Sequence, residues 1–172
     1  PSALVRKFAA MSLCNISVDE RNQHLMAQLG VMPPLIKLLE DPEEVCARYS
    51  AMTMSNLSTE GRNQETLVKQ GSLPPLIKLA AVQDTEAARY AGMVLANLAA
   101  NRRNRAAIVA MGGLHSLTLM SFSKSLETQR SAALALYNLS GAAVNHVPMI
   151  RAEVITSLAN LGAADDLECK RY

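Results

Sequence analysis

Apolar residues in this chain come in short runs at helical spacing, and polar punctuation separates the runs at a fixed interval. In "VMPPLIKLLED" (Val31 to Asp41), Leu35, Ile36, Leu38 and Leu39 make one stripe, with two prolines where the first turn of a helix tolerates them. Before it, "RNQHLMAQLG" (Arg21 to Gly30) reads as a short helix stopped by Gly30, since glycine suits the left-handed cap that ends a helix. After it, "DPEE" breaks the second helix and opens a third, with carboxylates at the N-terminus where the helix dipole favours them. The third helix is expected over about Glu43 to Ser58 and is the longest. No stretch alternates with the period of two that a strand requires, so the pattern predicts three helices and no sheet.

The same grammar returns without insertion or deletion. Asn15, Asn56, Asn97 and Asn138 are 41 residues apart, as are Gly30, Gly71 and Gly112, and Asn22, Asn63, Asn104 and Asn145. A basic column runs through Lys7, Arg48, Arg89, Arg130 and Arg171, followed directly by Phe8, Tyr49, Tyr90 and Tyr172, with Ser131 as the exception. Independent columns agreeing on one period identify a repeat array, in which each unit buries its apolar face only against its neighbours.

The residues of the unit carry a family resemblance. "RNQ…LVKQGSLPPLIKLA…ARYAGMVLANLA" resembles the armadillo repeat: an Asn-led first helix ending in Gly, a second helix opening Pro-Leu-Ile, and a third ending Asn-Leu-Ser or Asn-Leu-Ala. The resemblance covers essentially the whole chain. It implies an all-α, right-handed solenoid of three-helix repeats, about four of them, as a single domain over 1–172. Residues 19–59, 60–100 and 101–140 are then complete repeats, with partial ones over 1–18 and 141–172, and the chain reads as a fragment of a longer protein. The last unit departs most, because Glu153 stands in the glycine column.

Stacked repeats of this kind line one wall with their third helices. Asn15, Asn56, Asn97 and Asn138 would then form a ladder, each amide offering a donor and an acceptor that match the N–H and C=O of one residue in an extended peptide. Neighbouring helices pack about 8–10 Å apart and an extended chain rises about 3.3 Å per residue, so a rung could meet the peptide every two or three residues. The alternative is that each Asn braces the end of its own helix, where carbonyls lack donors. Four positions earlier stand Met11, Met52, Met93 and Leu134, on the same helical face. The nuclear-import branch of the family typically has Trp there, and this chain has no Trp. Met52 and Met93 suit varied apolar ligands, or pack between repeats. Arg48, Arg89 and Arg130 extend that face and would favour carboxylates or phosphates. They also have acidic neighbours within their own helices, Glu44, Glu86 and Glu127, that could pair with them instead.

Composition narrows the function. Apolar residues make up 49% and aromatics 3%, so the core is aliphatic and rich in methionine. With 17 basic and 15 acidic residues the net charge is +2, which gives no field for nucleic-acid binding. The run 106–123 is too polar for a membrane span. Cys14, Cys46 and Cys169 form no paired motif, and Cys46 and Cys169 share one core column. His24, His115 and His146 have no zinc spacing. "NRRNR" (Asn101 to Arg105) reads as a solvated ridge. Acid, base and nucleophile types do not converge, so no enzyme, metal or cofactor is expected.

The expected function is a cytoplasmic scaffold or adaptor, with a nuclear location left open. It would hold an extended acidic or apolar segment of a protein partner in a groove lined by third-helix Asn and basic residues. A nuclear-import adaptor, or a regulatory or oligomerisation module of a larger enzyme or motor, are the alternatives, and self-association stays open.

Overall fold

The computed structural model describes residues 2–82, 86–163 and 171, and among these every regular element is helical. Four helices of 15 residues recur in the third-helix position: α1 (Ala3–Ser17), α4 (Glu44–Ser58), α7 (Glu86–Ala100) and α10 (Leu126–Ser140). Shorter first helices precede them or follow the last, namely α2 (Glu20–Gln28), α5 (Gly61–Lys69), α8 (Arg105–Ala110) and α11 (His146–Arg151). The second helices are α3 (Met32–Leu38), α6 (Leu73–Ala80), α9 (Gly113–Ser121) and α12 (Val154–Ala163). A single 3-10 turn, Ala143–Asn145, leads into α11. Cys169, Glu168 and Tyr172 lie outside the described residues.

Contacts are local along the array: α1 packs on α4, α4 on α7 and α7 on α10, while α3, α6 and α9 each pack on the third helix that follows. The core between them is aliphatic as composition requires, with Leu57, Leu98 and Leu139, each directly after a ladder Asn, fully buried. Each such leucine contributes about 1.5–3 kcal/mol through burial. Ser50 ties α4 to α3 by donating from its buried Oγ to the Leu35 carbonyl at 2.6 Å.

The helix ends show why the repeat has the composition it has. A helix leaves its last carbonyls without donors. Here Asn22, Asn63, Asn104 and Asn145 each donate from Nδ2 to a carbonyl six residues earlier, on Ile16, Leu57, Leu98 and Leu139, at 2.9–3.0 Å. The next residue in each unit caps the next carbonyl: Gln23 on Ser17, Gln64 on Ser58, Arg105 on Ala99 and His146 on Ser140, at 2.8–3.1 Å. Four third helices are therefore closed by two side chains from the first helix that follows. The Ser140 carbonyl can only accept, so His146 Nε2 carries the ring proton.

Arg105 thus leaves the solvated ridge the sequence suggested. Its Nε lies on the Ala99 carbonyl, and its guanidinium lies so close to Gly141 that a Cβ there would meet it. Arg102 and Arg103 of the same cluster are exposed, with Arg103 paired to Glu65 at 3.1 Å.

The glycine column behaves as expected. Gly30, Gly71 and Gly112 have φ of 76°, 85° and 88°, the left-handed turn between first and second helices. Glu153 takes the same turn with φ 56° despite its side chain. A left-handed L-residue costs about 1–2 kcal/mol, so the fourth repeat carries strain the others avoid. Gly92 has a different reason to be glycine: a Cβ on it would overlap the thioether end of Met120. One repeat earlier the same two columns hold Ala51 and Leu79.

Two predictions follow from these backbones. Glu153→Gly should raise the thermal midpoint, and Gly71→Val should lower it with the helical spectrum retained. The gain is about 0.5–1 kcal/mol, since glycine's extra unfolded freedom offsets part of the relief. Circular-dichroism melts of both variants check this, and a neutral Glu153→Gly would remove the strain argument. In urea unfolding, Gly92→Ala should fail to deliver the roughly 1 kcal/mol that Ala ordinarily gains over Gly inside a helix, because the thioether end of Met120 must first move aside. Adding Met120→Leu should release that gain by recreating the Ala51 and Leu79 pair.

Candidate functional site

The stacked third helices form one wall, and a stripe of matching positions runs along each of them. On α7, Glu86, Tyr90, Met93 and Asn97 are spaced by four, three and four residues, which gathers them within about 60° of one another around the axis. The equivalent sets are Val45, Tyr49, Met52 and Asn56 on α4, Glu127, Ser131, Leu134 and Asn138 on α10, and Leu4, Phe8, Met11 and Asn15 on α1. Met52, Asn56, Met93, Asn97, Leu134 and Asn138 are half-buried, whereas Leu4, Phe8 and Asn15, on α1, stand exposed.

The asparagines do more than mark the period. Asn56 donates from Nδ2 to Ser17 Oγ at 2.9 Å, and Asn97 donates to Ser58 Oγ at 3.0 Å. Each acceptor is the last residue of the third helix one repeat earlier, and each serine passes its own proton to a carbonyl of that helix, on Cys14 and Ser55 respectively. Asn138 meets Ala99 in the serine column and reaches the Ala96 carbonyl instead, at 3.3 Å. The bracing alternative is thereby corrected in its geometry: the amide joins neighbouring repeats and does not cap its own helix. The reason is the stacking distance, which brings the end of the preceding helix within reach of the side chain.

The basic column forms a second ladder on the same wall. Arg48 Nη1 lies 2.5 Å from Glu86 Oε2 of the next repeat, and Arg89 Nη1 lies 2.9 Å from Glu127 Oε2 of the next. Within its own helix Arg89 reaches Glu86 only at 3.8 Å, and Glu44 touches Arg48 only through longer-range attraction. The within-helix pairing expected from spacing is thus largely replaced by pairing across the repeat junction. The hydrogen bond to Glu86 holds Arg48 still more firmly protonated than a free arginine. Each guanidinium also lies over the ring that follows it, Arg48 on Tyr49 at 5.0 Å and Arg89 on Tyr90 at 4.4 Å. Arg130 is half-buried on α10, and Arg171 is exposed. The first junction has its own brace, Arg6 with Asp41 at 2.6 Å, which pulls the Asp41 carboxyl below its ordinary range.

Sequence reasoning named every rung of both ladders. It missed their partners in the neighbouring repeat: the serines at 17 and 58, and the reach of Glu86 and Glu127 backward to Arg48 and Arg89. It also gave no role to the Asn22 column. The available signal was the period itself, since Glu86 and Glu127 are 41 residues apart and follow Arg48 and Arg89 by 38. Among the described residues no three His, Cys, Asp or Glu side chains gather where a metal could bind. No described helix is long and apolar enough to cross a membrane.

Comparison with known proteins agrees with this architecture. Residues 19–59 match the model of the Armadillo/beta-catenin-like repeat. No curated protein matches the chain by sequence. Among solved structures, a designed armadillo repeat protein in complex with the peptide (KR)4 superposes with a TM-score of 0.88 at 24% identity, covering 99% of this chain and 73% of that one. A set of computationally designed armadillo repeat proteins for modular peptide recognition gives 0.91 at 24% identity, again over 99% and 73%. An engineered protein gives 0.91 at 26% identity, over 99% and 70%.

If the arginine ladder braces the solenoid, Arg48→Gln and Glu86→Gln should each lower the melting temperature. The double variant should lose less than the sum of the two. A double-mutant cycle by thermal unfolding checks this, with a coupling of about 0.5–1 kcal/mol expected for a partly exposed pair.

Proposed function

Taking the chain as an armadillo-repeat solenoid, we propose that it is a protein-interaction scaffold, holding an extended segment of a protein partner along the wall of third helices. The observation that carries the reading is the state of Asn56 and Asn97. One amide hydrogen of each is spent on the preceding repeat, which fixes the side chain in place. Asn56 keeps its acceptor oxygen and second hydrogen for a ligand, which suit the N–H and C=O of one extended residue. Asn97, whose amide also donates to the Ser55 carbonyl at 3.4 Å, keeps its acceptor oxygen for a ligand N–H. A side chain already held loses little freedom on binding, so several weak contacts can add up along the wall. Two designed relatives of this fold are described as bound to a peptide or made for peptide recognition, which supports the same use of the surface. Met52, Met93 and Leu134 occupy the positions where the nuclear-import branch has Trp, which favours a partner other than a nuclear-import signal.

The bracing bonds allow a clean test. Peptides are selected on the full chain from a random dodecapeptide library, and their affinities are measured on variants. Asn56→Ala with Asn97→Ala should weaken them by about 2 kcal/mol, or roughly thirtyfold, at about 1 kcal/mol for each contact. Ser17→Ala with Ser58→Ala removes the hydroxyls that hold the amides, together with their own bonds to the Cys14 and Ser55 carbonyls. It should lower stability and cost affinity no more than about threefold through lost pre-organisation. Equal affinity losses in both double variants would show that the asparagines act as braces alone.

A further inference from the structure

The two ladders together say which side chains that segment carries. A column of cations along a binding wall ordinarily invites an acidic partner. Here the two central cations, Arg48 and Arg89, are already occupied. Arg48 is bound to Glu86, and Arg89 to both Glu86 and Glu127, each guanidinium lying over its neighbouring tyrosine ring. Exposure runs the same way: the Arg89 side chain is 21% exposed, against 62% for the Glu127 side chain that covers it. An incoming carboxylate would have to displace a resident one from a bond already made. An incoming cation would meet carboxylates that each already hold an arginine.

What remains open along the stripe is apolar surface. Phe8, Tyr49, Met52, Tyr90, Met93 and Leu134 follow one another from α1 to α10 beside the asparagines, with Phe8 56% exposed. Val45 stands in the register position that Glu86 and Glu127 take on the next two helices, so Lys7 has no equivalent carboxylate opposite it.

We infer that the wall selects an extended, uncharged segment bearing bulky apolar side chains, about one per repeat, with the charged column serving to join repeats. This rests on the groove reading above and narrows it. Methionine and tyrosine provide area without demanding one shape, so the selected side chains are Leu, Ile, Met or Phe in kind. A segment of about three residues per repeat would place one such side chain beside each Asn contact.

The test uses the same random dodecapeptide library, selected on the full chain in 50 mM and in 500 mM salt. Enriched peptides should carry bulky apolar residues and near-zero net charge. Their affinity should change by less than about threefold between the two salts, because no exposed charge pairs are formed. Met52→Ser with Met93→Ser should weaken them by about tenfold, while Arg48→Gln with Arg89→Gln should leave affinity per folded molecule within about threefold. Peptides rich in Asp and Glu that are lost at high salt and on Arg48→Gln with Arg89→Gln, yet still need Asn56 and Asn97, would overturn this inference and leave the groove standing. Basic peptides that depend on Glu86 and Glu127 would do the same. Peptides indifferent to Asn56 and Asn97, or no enrichment at all, would overturn the groove and this inference with it.

Discussion

The C-terminal carbonyls of each third helix depend on donors that arrive six residues later in the chain. A buried carbonyl left without a partner costs about 1–3 kcal/mol. The carbonyls of Ser17, Leu57, Leu98 and Leu139 are bonded inside the stack, while those of Ile16 and Ser140 are bonded at its surface. Asn22, Asn63, Asn104 and Asn145 satisfy one carbonyl, and Gln23, Gln64, Arg105 and His146 satisfy the next. For a side chain to reach back in this way, the chain must turn sharply at once and begin a new helix beside the old one. The corner of the repeat follows from that requirement, and the period of the array follows from the corner.

Joining one repeat to the next falls to longer side chains on the wall. Asn56 and Asn97 reach the terminal serine of the preceding third helix, and Arg48 and Arg89 reach a glutamate of the following one. Hydrogen bonds of this sort contribute about 1 kcal/mol each, and exposed ion pairs less. Buried leucines supply most of the stability, and the polar ladders set how adjacent units are oriented. A wall oriented by repeated short bonds keeps its side chains at regular intervals, as the proposed extended segment requires.

The later repeats show how far the pattern bends. Glu153 accepts a left-handed backbone where glycine stood three times, and Asn138 keeps only the carbonyl bond where Asn97 also meets a serine. Gly92 and Met120 exchange volume within one pair of columns, giving up a methyl group on one helix to admit a longer side chain from another. At Asn138 and Gly92 a neighbour in space absorbs the change, as expected when a unit touches only the units beside it.

The fold was legible in the residues because it is written in local signals. Helical spacing, prolines at first turns and glycine at left-handed caps each act within a few turns of chain, and the 41-residue period shows when the chain is laid against itself, so sequence order alone reveals them. The wall was half legible: the columns of Asn, Met and Arg could be named, but the same spacing permitted a cap, a core contact or a ligand group. Stacking supplied the partners that spacing could not name. Ser17 and Asn56 are 39 residues apart in sequence and 2.9 Å apart in space, and Arg48 prefers Glu86, 38 residues away, to Glu44, four away in its own helix. Spacing along a helix fixes which face a side chain occupies, whereas its partner depends on how closely the next helix approaches and at what angle, and packing alone determines that.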